Sequence, residues 1–230
     1  MTKTIVIATI RPWNIAACKK WKPPRGYRKV LITDKTKLTY ERLKKLNSRY
    51  VFFPHWSWII PQEIFEQFEC VVFHMTDLPF GRGGSPLQNL IVRGVYKTKI
   101  SAIRVEAGLD TGPVYLKRQF DLSRGSAEEL FRKMAPVLCS MMTEIVKKQP
   151  KPRAQHGEPT VFSRRKPEES RIPSGLSPEQ LYDFIRMLDA PGYPAAYIES
   201  DGVRVEFSRA EMRGGVVTAQ VRFIVNKQPL

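Results

Sequence analysis

His74 and Asp110 are the residues of this sequence whose type and setting best suit acid/base chemistry. The chain has only three histidines in 230 residues. One of them, His74, closes the apolar run FECVVF and opens onto the loop LPFGRGGSP. An imidazole at a strand exit, followed by a glycine-arginine loop, can take up or release a proton near neutral pH. Taken alone, such a histidine is more often a hydrogen-bonded core residue. Asp110 lies in GLDTGP, and a turn aspartate ordinarily bonds its own backbone. Between the two, SPLQNLIVRG reads as a helix with Ser85 as its cap, Pro86 in its first turn and an end at Gly94. A GRGG turn feeding a helix N-terminus suits an anion or a developing oxyanion.

The elements that must position these residues are legible around them. TIVIATI, RKVLIT and YVFF are β-branched or aromatic runs. They are separated by NIAACKKW and KLTYERLKKLN, whose apolar positions recur at helical spacing, so the order reads βαβαβ with parallel strands. PQEIFEQF, with Pro61 at its start, predicts a further helix before the strand ECVVFH. KISAIRVEAG and VYLKRQFDL flank Asp110 as strands, and SAEELFRKMAPVLCSMMTEIVKK is a long amphipathic helix with Ser126 and Glu129 as a capping box. The stretch QPKPRAQHGEPT reads as a linker. Beyond it lie the helix SPEQLYDFIRMLDA, the turn PGYP, and three alternating runs divided by Asp201-Gly202 and Gly214-Gly215, which are hairpin turns. No GxGxxG follows IVIATI, which disfavours an ordinary dinucleotide site. Arg11 and Asn14, at the carboxyl edge of the first strand, are candidate contacts for a phosphate or sugar. Trp13 beside them is a stacking candidate or loop packing.

The block His74, Leu78, Pro79, Arg82, Gly83, Pro86, Gln88, Leu109, Asp110, Thr111 and Gly112 resembles the 10-formyltetrahydrofolate-dependent formyltransferases. Their pattern runs Asn-x-His, Leu-Pro-x-x-Arg-Gly-x-x-Pro, Asp-x-Gly. The resemblance implies an α/β protein, with a Rossmann-like formyltransferase core over residues 1–155 and a small C-terminal α+β domain over 156–230. It implies 10-formyltetrahydrofolate as formyl donor and no metal. His74 would exchange the proton and Asp110 would pair with it. The pterin would rest on Trp58, Ile59 and Ile60 and on Arg104, Val105, Glu106 and Ala107. Substrate contacts would come from Arg11, Trp13, Asn14, Thr76, Arg82 and Tyr193. The sequence departs from the pattern at Val72, where the family has its asparagine. If 69–74 is a strand, Val72 and His74 share a face, and the carbonyl-polarising donor is missing. Thr76, Asn89, protonated His74 or an ordered water are the candidate replacements.

Net charge is +16, concentrated at one end. Residues 1–50 carry 14 Lys/Arg against Asp34 and Glu41, whereas residues 151–230 carry 12 against 10 acids. Such a basic third suits a nucleotide diphosphate, a folate glutamate tail or RNA, and is equally read as solvated lysine on helix backs. The three cysteines, Cys18, Cys70 and Cys139, have no paired spacing and read as free thiols of a reducing cytoplasm. The apolar run IVIATI is too short for a signal segment or a membrane span, so a cytoplasmic protein without membrane contact is expected. The acceptor expected is the amino group of a UDP- or dTDP-linked 4-amino-4,6-dideoxyhexose, such as a pseudaminic acid precursor. Nucleic acid is set aside because the C-terminal part is short and nearly neutral. The alternatives are transfer to methionyl-tRNA and a non-catalytic folate- or nucleotide-binding relative. Oligomeric state stays open.

Overall fold

The computed structural model describes residues 2–225. The chain forms two compact units. The first takes in residues up to Gly83, Thr98–Phe120 and Phe131–Val161; the second takes in Gly84–Lys97, Asp121–Leu130 and the chain from Phe162 onward. This differs from a single division at 155/156. Segments 84–97 and 121–130 cluster with the C-terminal chain because their polar groups are satisfied there. Gln88 Nε2 donates to Met187 O at 3.1 Å, Tyr96 OH donates to Asp183 at 2.5 Å, and Glu128 N–H donates to Asp189 O at 3.0 Å.

The first half of the chain alternates strand and helix: β1 (Lys3–Ala8), α1 (Pro12–Lys20), β2 (Tyr27–Ile32), α2 (Tyr40–Lys45), β3 (Ser48–Phe53), α3 (Gln62–Phe65) and β4 (Glu69–His74). Next come the short β5 (Arg82–Gly83), α4 (Pro86–Ile91), β6 (Lys97–Arg104) and β7 (Val114–Asp121). The remainder is α5 (Ala127–Lys148), β8 (Val161–Phe162), α6 (Pro178–Arg186), β9 (Ala196–Ser200), β10 (Val203–Arg213) and β11 (Val216–Val225).

A six-stranded sheet of order β2-β1-β3-β4-β6-β7 organises the first unit. β1 to β4 run parallel, as helical crossovers require, and β6 then runs antiparallel to β4, with His74 opposite Ser101. β1 reads as a nearly unbroken apolar run because it is buried on both faces: Thr4 to Ala8 are all buried. One side of the sheet is packed by Leu38, Leu43, Ile60 and Ile64, with Val72 and Val105 joining from β4 and its neighbour. Each such side chain contributes roughly 1.5–3 kcal/mol when fully buried, so burial and not surface ion pairing sets the sheet. α1 starts with Pro12 in its first turn, and Lys29 Nζ closes its far end by donating to Cys18 O (2.8 Å) and Lys19 O (2.6 Å).

In the second unit α6 begins with a capping box of Ser177 and Gln180, and β9, β10 and β11 form an antiparallel meander. Both residues of Asp201-Gly202 and of Gly214-Gly215 have positive φ, the geometry tight hairpins need. The capping box of α5 is also formed: Ser126 N–H donates to Glu129, and Glu129 N–H to Ser126 Oγ at 3.2 Å. α4 differs from its expectation. It ends at Ile91, and Ser85 takes φ 50 with no side-chain cap bond; its hydroxyl accepts from Arg165 N–H at 3.1 Å instead. With six residues and this start, α4 offers no capped N-terminal anion site. Among the described residues no helix is long and apolar enough to cross a membrane.

Candidate active site

β4 delivers His74 at its C-terminal end, on the same side of the pleat as Cys70 and Val72. The chain leaving it is tied to β6, since Ser101 Oγ donates to Thr76 O (2.7 Å) and accepts from Leu78 N–H (3.3 Å). After the cis Leu78–Pro79 peptide and a turn from Asp77 O to Phe80 N–H, the loop returns beneath the imidazole. His74 Nε2 then lies 2.7 Å from Gly81 O. A carbonyl only accepts, so Nε2 carries the proton in this contact.

Asp110 comes from the turn joining β6 to β7, at φ 55. Its Oδ2 lies 3.4 Å from His74 Nδ1 and accepts from Gly83 N–H at 2.9 Å. The two side chains are only 8% and 14% exposed, so their interaction is weakly screened. The turn is tight by necessity: a Cβ on Gly112 would sit 1.8 Å from Arg104 O. Thus the imidazole stands between a carboxylate at one nitrogen and a backbone carbonyl at the other. That arrangement can accept a proton, stabilise the resulting charge and return it.

Asp77, beside this loop, pairs with Lys99 (2.9 Å) and Lys117 (2.5 Å). Partial burial opposes its ionisation, but the hydrogen bonds and charges of Lys117 and Lys99 outweigh that and hold its carboxyl below the ordinary range.

Several residues expected at the site are engaged in the framework. Trp13 is 3% exposed and stacks on Phe131 with ring centroids 5.1 Å apart, so its ring is core. Asn14 is buried, with its amide directed at Pro54 O, and Arg11 lies against the Trp13 ring. Thr76 is fully buried and donates to Gly81 O at 3.3 Å. Arg82 turns both Nε and Nη2 onto Gln155 Oε1, at 3.1 and 2.8 Å. Asn89, considered for the missing amide, donates to the carbonyls of Gly84, Ser85 and Ser163. Tyr193 belongs to the second unit, where its N–H bonds Ala190 O.

Of the strip expected against a pterin, Trp58 is half-exposed, Ile59 is 93% exposed and Ile60 is buried. Arg104 pairs with Glu106, Val105 N–H donates to Cys70 O, and Ala107 O accepts from Thr111 Oγ1. Next to Trp58, at 4.9 Å between ring centroids, is Trp56, whose buried indole N–H has no hydrogen-bond partner among the described residues.

Three residues in contact with these candidates escape a reading by sequence: Trp56, Thr160 and Gln155. Thr160 Oγ1 accepts from Gly81 N–H at 2.7 Å, and Thr160 O accepts from Arg82 N–H at 2.9 Å. Gln155 donates from Nε2 to Asp110 O and to Gly112 O, each at 2.8 Å. The last two lie in what the sequence presents as a linker, and nothing local marks them.

A family model described as the C-terminal domain of methionyl-tRNA formyltransferase matches residues 167–224. The methionyl-tRNA formyltransferase of Thermodesulfovibrio yellowstonii is 27% identical over 201 residues, which is 82% of this chain and 65% of that protein. The chain therefore spans about two thirds of that relative's length. A solved methionyl-tRNA formyltransferase from Clostridium thermocellum is 53% identical, with a TM-score of 0.94, over 97% of this chain and 100% of that one. The chain belongs to the formyltransferase family. Aquifex aeolicus HypX in complex with tetrahydrofolic acid, 16% identical with a TM-score of 0.76, shares the formyltransferase fold over 94% of this chain and 40% of its own.

These likenesses overturn the expected acceptor and partner. The formyltransferases similar in sequence are methionyl-tRNA enzymes, so neither a nucleotide-linked amino sugar nor the exclusion of nucleic acid stands. The short C-terminal part carried that expectation, yet this chain covers the Clostridium thermocellum formyltransferase end to end.

Proposed function

We propose that the protein transfers the formyl group of 10-formyltetrahydrofolate to the amino group of methionyl-tRNA. The observation that carries the acceptor is the 53% identity to a methionyl-tRNA formyltransferase over its whole length. The bound donor supplies an activated formyl carbon. Its pterin rests on the first unit at the exposed Trp58–Ile59 shelf, which the Trp56 ring supports by packing against Trp58.

This chain's residues then handle one proton. The attacking amine must be unprotonated, and it becomes cationic as the C–N bond forms. Once Gly81 O yields its place, the ring proton of His74 resides on Nδ1, facing Asp110, so that Nε2 is free to take the amine's proton while Asp110 stabilises the charge gained. Val72 donates nothing to the carbonyl oxygen, while Thr76 and Asn89 hold their own loops together. Stabilising the oxyanion then falls to His74 when it carries the proton, or to a water ordered beside it. The basic face of residues 1–50 supplies phosphate contacts.

The test incubates the protein and 10-formyltetrahydrofolate with methionyl-tRNA, reading N-formylmethionine by mass spectrometry after deacylation. Formyl product that falls by about 1,000-fold or more in His74→Ala supports the reading. A donor that binds but yields no product would leave the protein a non-catalytic relative, the reading Val72 favours.

A further inference from the structure

We propose that Gln155 is a positioning residue for the His74–Asp110 pair, clasping the Asp110 turn and the Arg82 loop into one frame. The inference rests on the formyl-transfer reading for its effect on turnover. Its geometry stands independently.

All four hydrogen-bonding positions of the Gln155 carboxamide are used. Oε1 accepts from Arg82 Nε and Nη2, and Nε2 donates to Asp110 O and Gly112 O. A guanidinium can only donate and a carbonyl can only accept, so the orientation of the amide is dictated by its partners. Only the carboxamides of Gln and Asn present two donors and two acceptor sites on one rigid plane, and Asn is one methylene shorter.

What Gln155 holds on each side converges on the same oxygen. Asp110 has a left-handed backbone, which an L residue resists, and Gln155 ties its carbonyl while Gly83 N–H ties its carboxylate. Gly83 directly follows Arg82, whose side chain ends on the Gln155 oxygen. The result is a closed ring of contacts from Gln155 through Arg82, Gly83 and Asp110 back to Gln155, with His74 Nδ1 facing the Asp110 Oδ2 at 3.4 Å. The hydrogen bonds of the Gln155 side chain go to Arg82, Asp110 and Gly112 and not to the imidazole; it acts through Asp110. Thr160, five residues on, fixes the opposite side of the ring by holding Gly81, whose carbonyl meets His74 Nε2.

Gln155→Glu isolates the donor half of this role. A carboxylate keeps an acceptor for Arg82 but turns oxygen towards two carbonyls. Gln155→Leu removes both halves. In each variant kcat should fall about 10- to 100-fold, the range expected when a catalytic pair is displaced by a fraction of an ångström to an ångström. KM for donor and for methionyl-tRNA should stay within about two-fold, because no ground-state contact is lost. In parallel, the His74 ring signals in a 1H–15N NMR spectrum, assigned by His74→Ala, should move in Gln155→Glu while those of His55 hold. A Gln155→Glu variant with kcat within about two-fold of the parent, or a kcat loss matched by KM, would overturn the proposal. If the parent itself formylates no methionyl-tRNA, the functional reading has failed, and the NMR shift alone decides the clasp: unchanged His74 signals reject it.

Discussion

Position 72 is where this chain's chemistry departs most from the formyltransferase pattern, and the side chain there is half-buried against the same apolar cluster as Val105. Its Cβ shares the strand face of His74, two residues on, so an amide at 72 would lie along the wall leading to the imidazole. Losing one preorganised oxyanion donor costs about 3–4 kcal/mol in other acyl-transfer enzymes. Val72→Asn is therefore expected to raise kcat by about 10-fold or more, with a modest loss of stability from placing an amide among Val105 and its neighbours. Steady-state kinetics beside a thermal melt checks both halves. No gain in rate would mean that another donor, the His74 proton or an ordered water, already does this work. Asp110→Asn tests the other partner. It keeps the shape of the turn but removes the negative charge 3.4 Å from Nδ1, and kcat should drop by about 100-fold or more while donor binding, measured by fluorescence titration, holds.

At the level of elements, the β6–β7 turn and the loop after β4 carry the site, and each is held by contacts that can be broken singly. Gly112 is the tightest point. A methyl there would overlap Arg104 O at 1.8 Å, so Gly112→Ala must push the turn apart, costing about 1–3 kcal/mol and displacing Asp110. Gly94→Ala is the control: its added Cβ meets nothing within 4 Å, and only its positive φ is penalised, by about 1 kcal/mol. Urea unfolding of both, with activity, separates overlap from backbone strain. The Asp77 clamp predicts a pH dependence. Its folded pKa lies below the ordinary 3.8, so its stabilisation is present above that value and lost as pH falls through the folded pKa. Asp77→Asn should therefore melt lower than the parent at neutral pH, and the gap should narrow below about pH 4. A gap that stayed constant down to about pH 3 would show that shape and not charge holds the loop.

Over the whole molecule the charge is unevenly placed, and exposed Lys19, Lys20, Lys22, Arg25, Lys44 and Lys45 all belong to the first 50 residues. If methionyl-tRNA is the acceptor, its affinity should fall steeply with salt, and each of these residues that neutralises a phosphate should lower the slope of log K against log salt by about 1 when replaced by Ala. A slope unchanged by Lys19→Ala, Lys20→Ala and Lys22→Ala together would leave the C-terminal end of α1 outside the RNA contact. The elements themselves were legible in the sequence because their causes are local: alternation in β10 and β11, capping boxes at Ser126 and Ser177, paired positive-φ residues at Asp201-Gly202 and Gly214-Gly215. His74 and Asp110 stood out as candidates because their flanking motifs are short, and the structure brings them within 3.4 Å of each other. Only the tertiary structure decided the rest. It engaged Trp13, Asn14, Thr76 and Arg82 with partners in the framework, drew residues 84–97 and 121–130 into the second unit, and set Gln155 of an apparent linker between Arg82 and the Asp110 turn. The physical reason is distance along the chain. Gln155 meets Asp110 across 45 residues and Arg82 across 73, and a hydrogen bond closed over such a span leaves no pattern in the residues beside it.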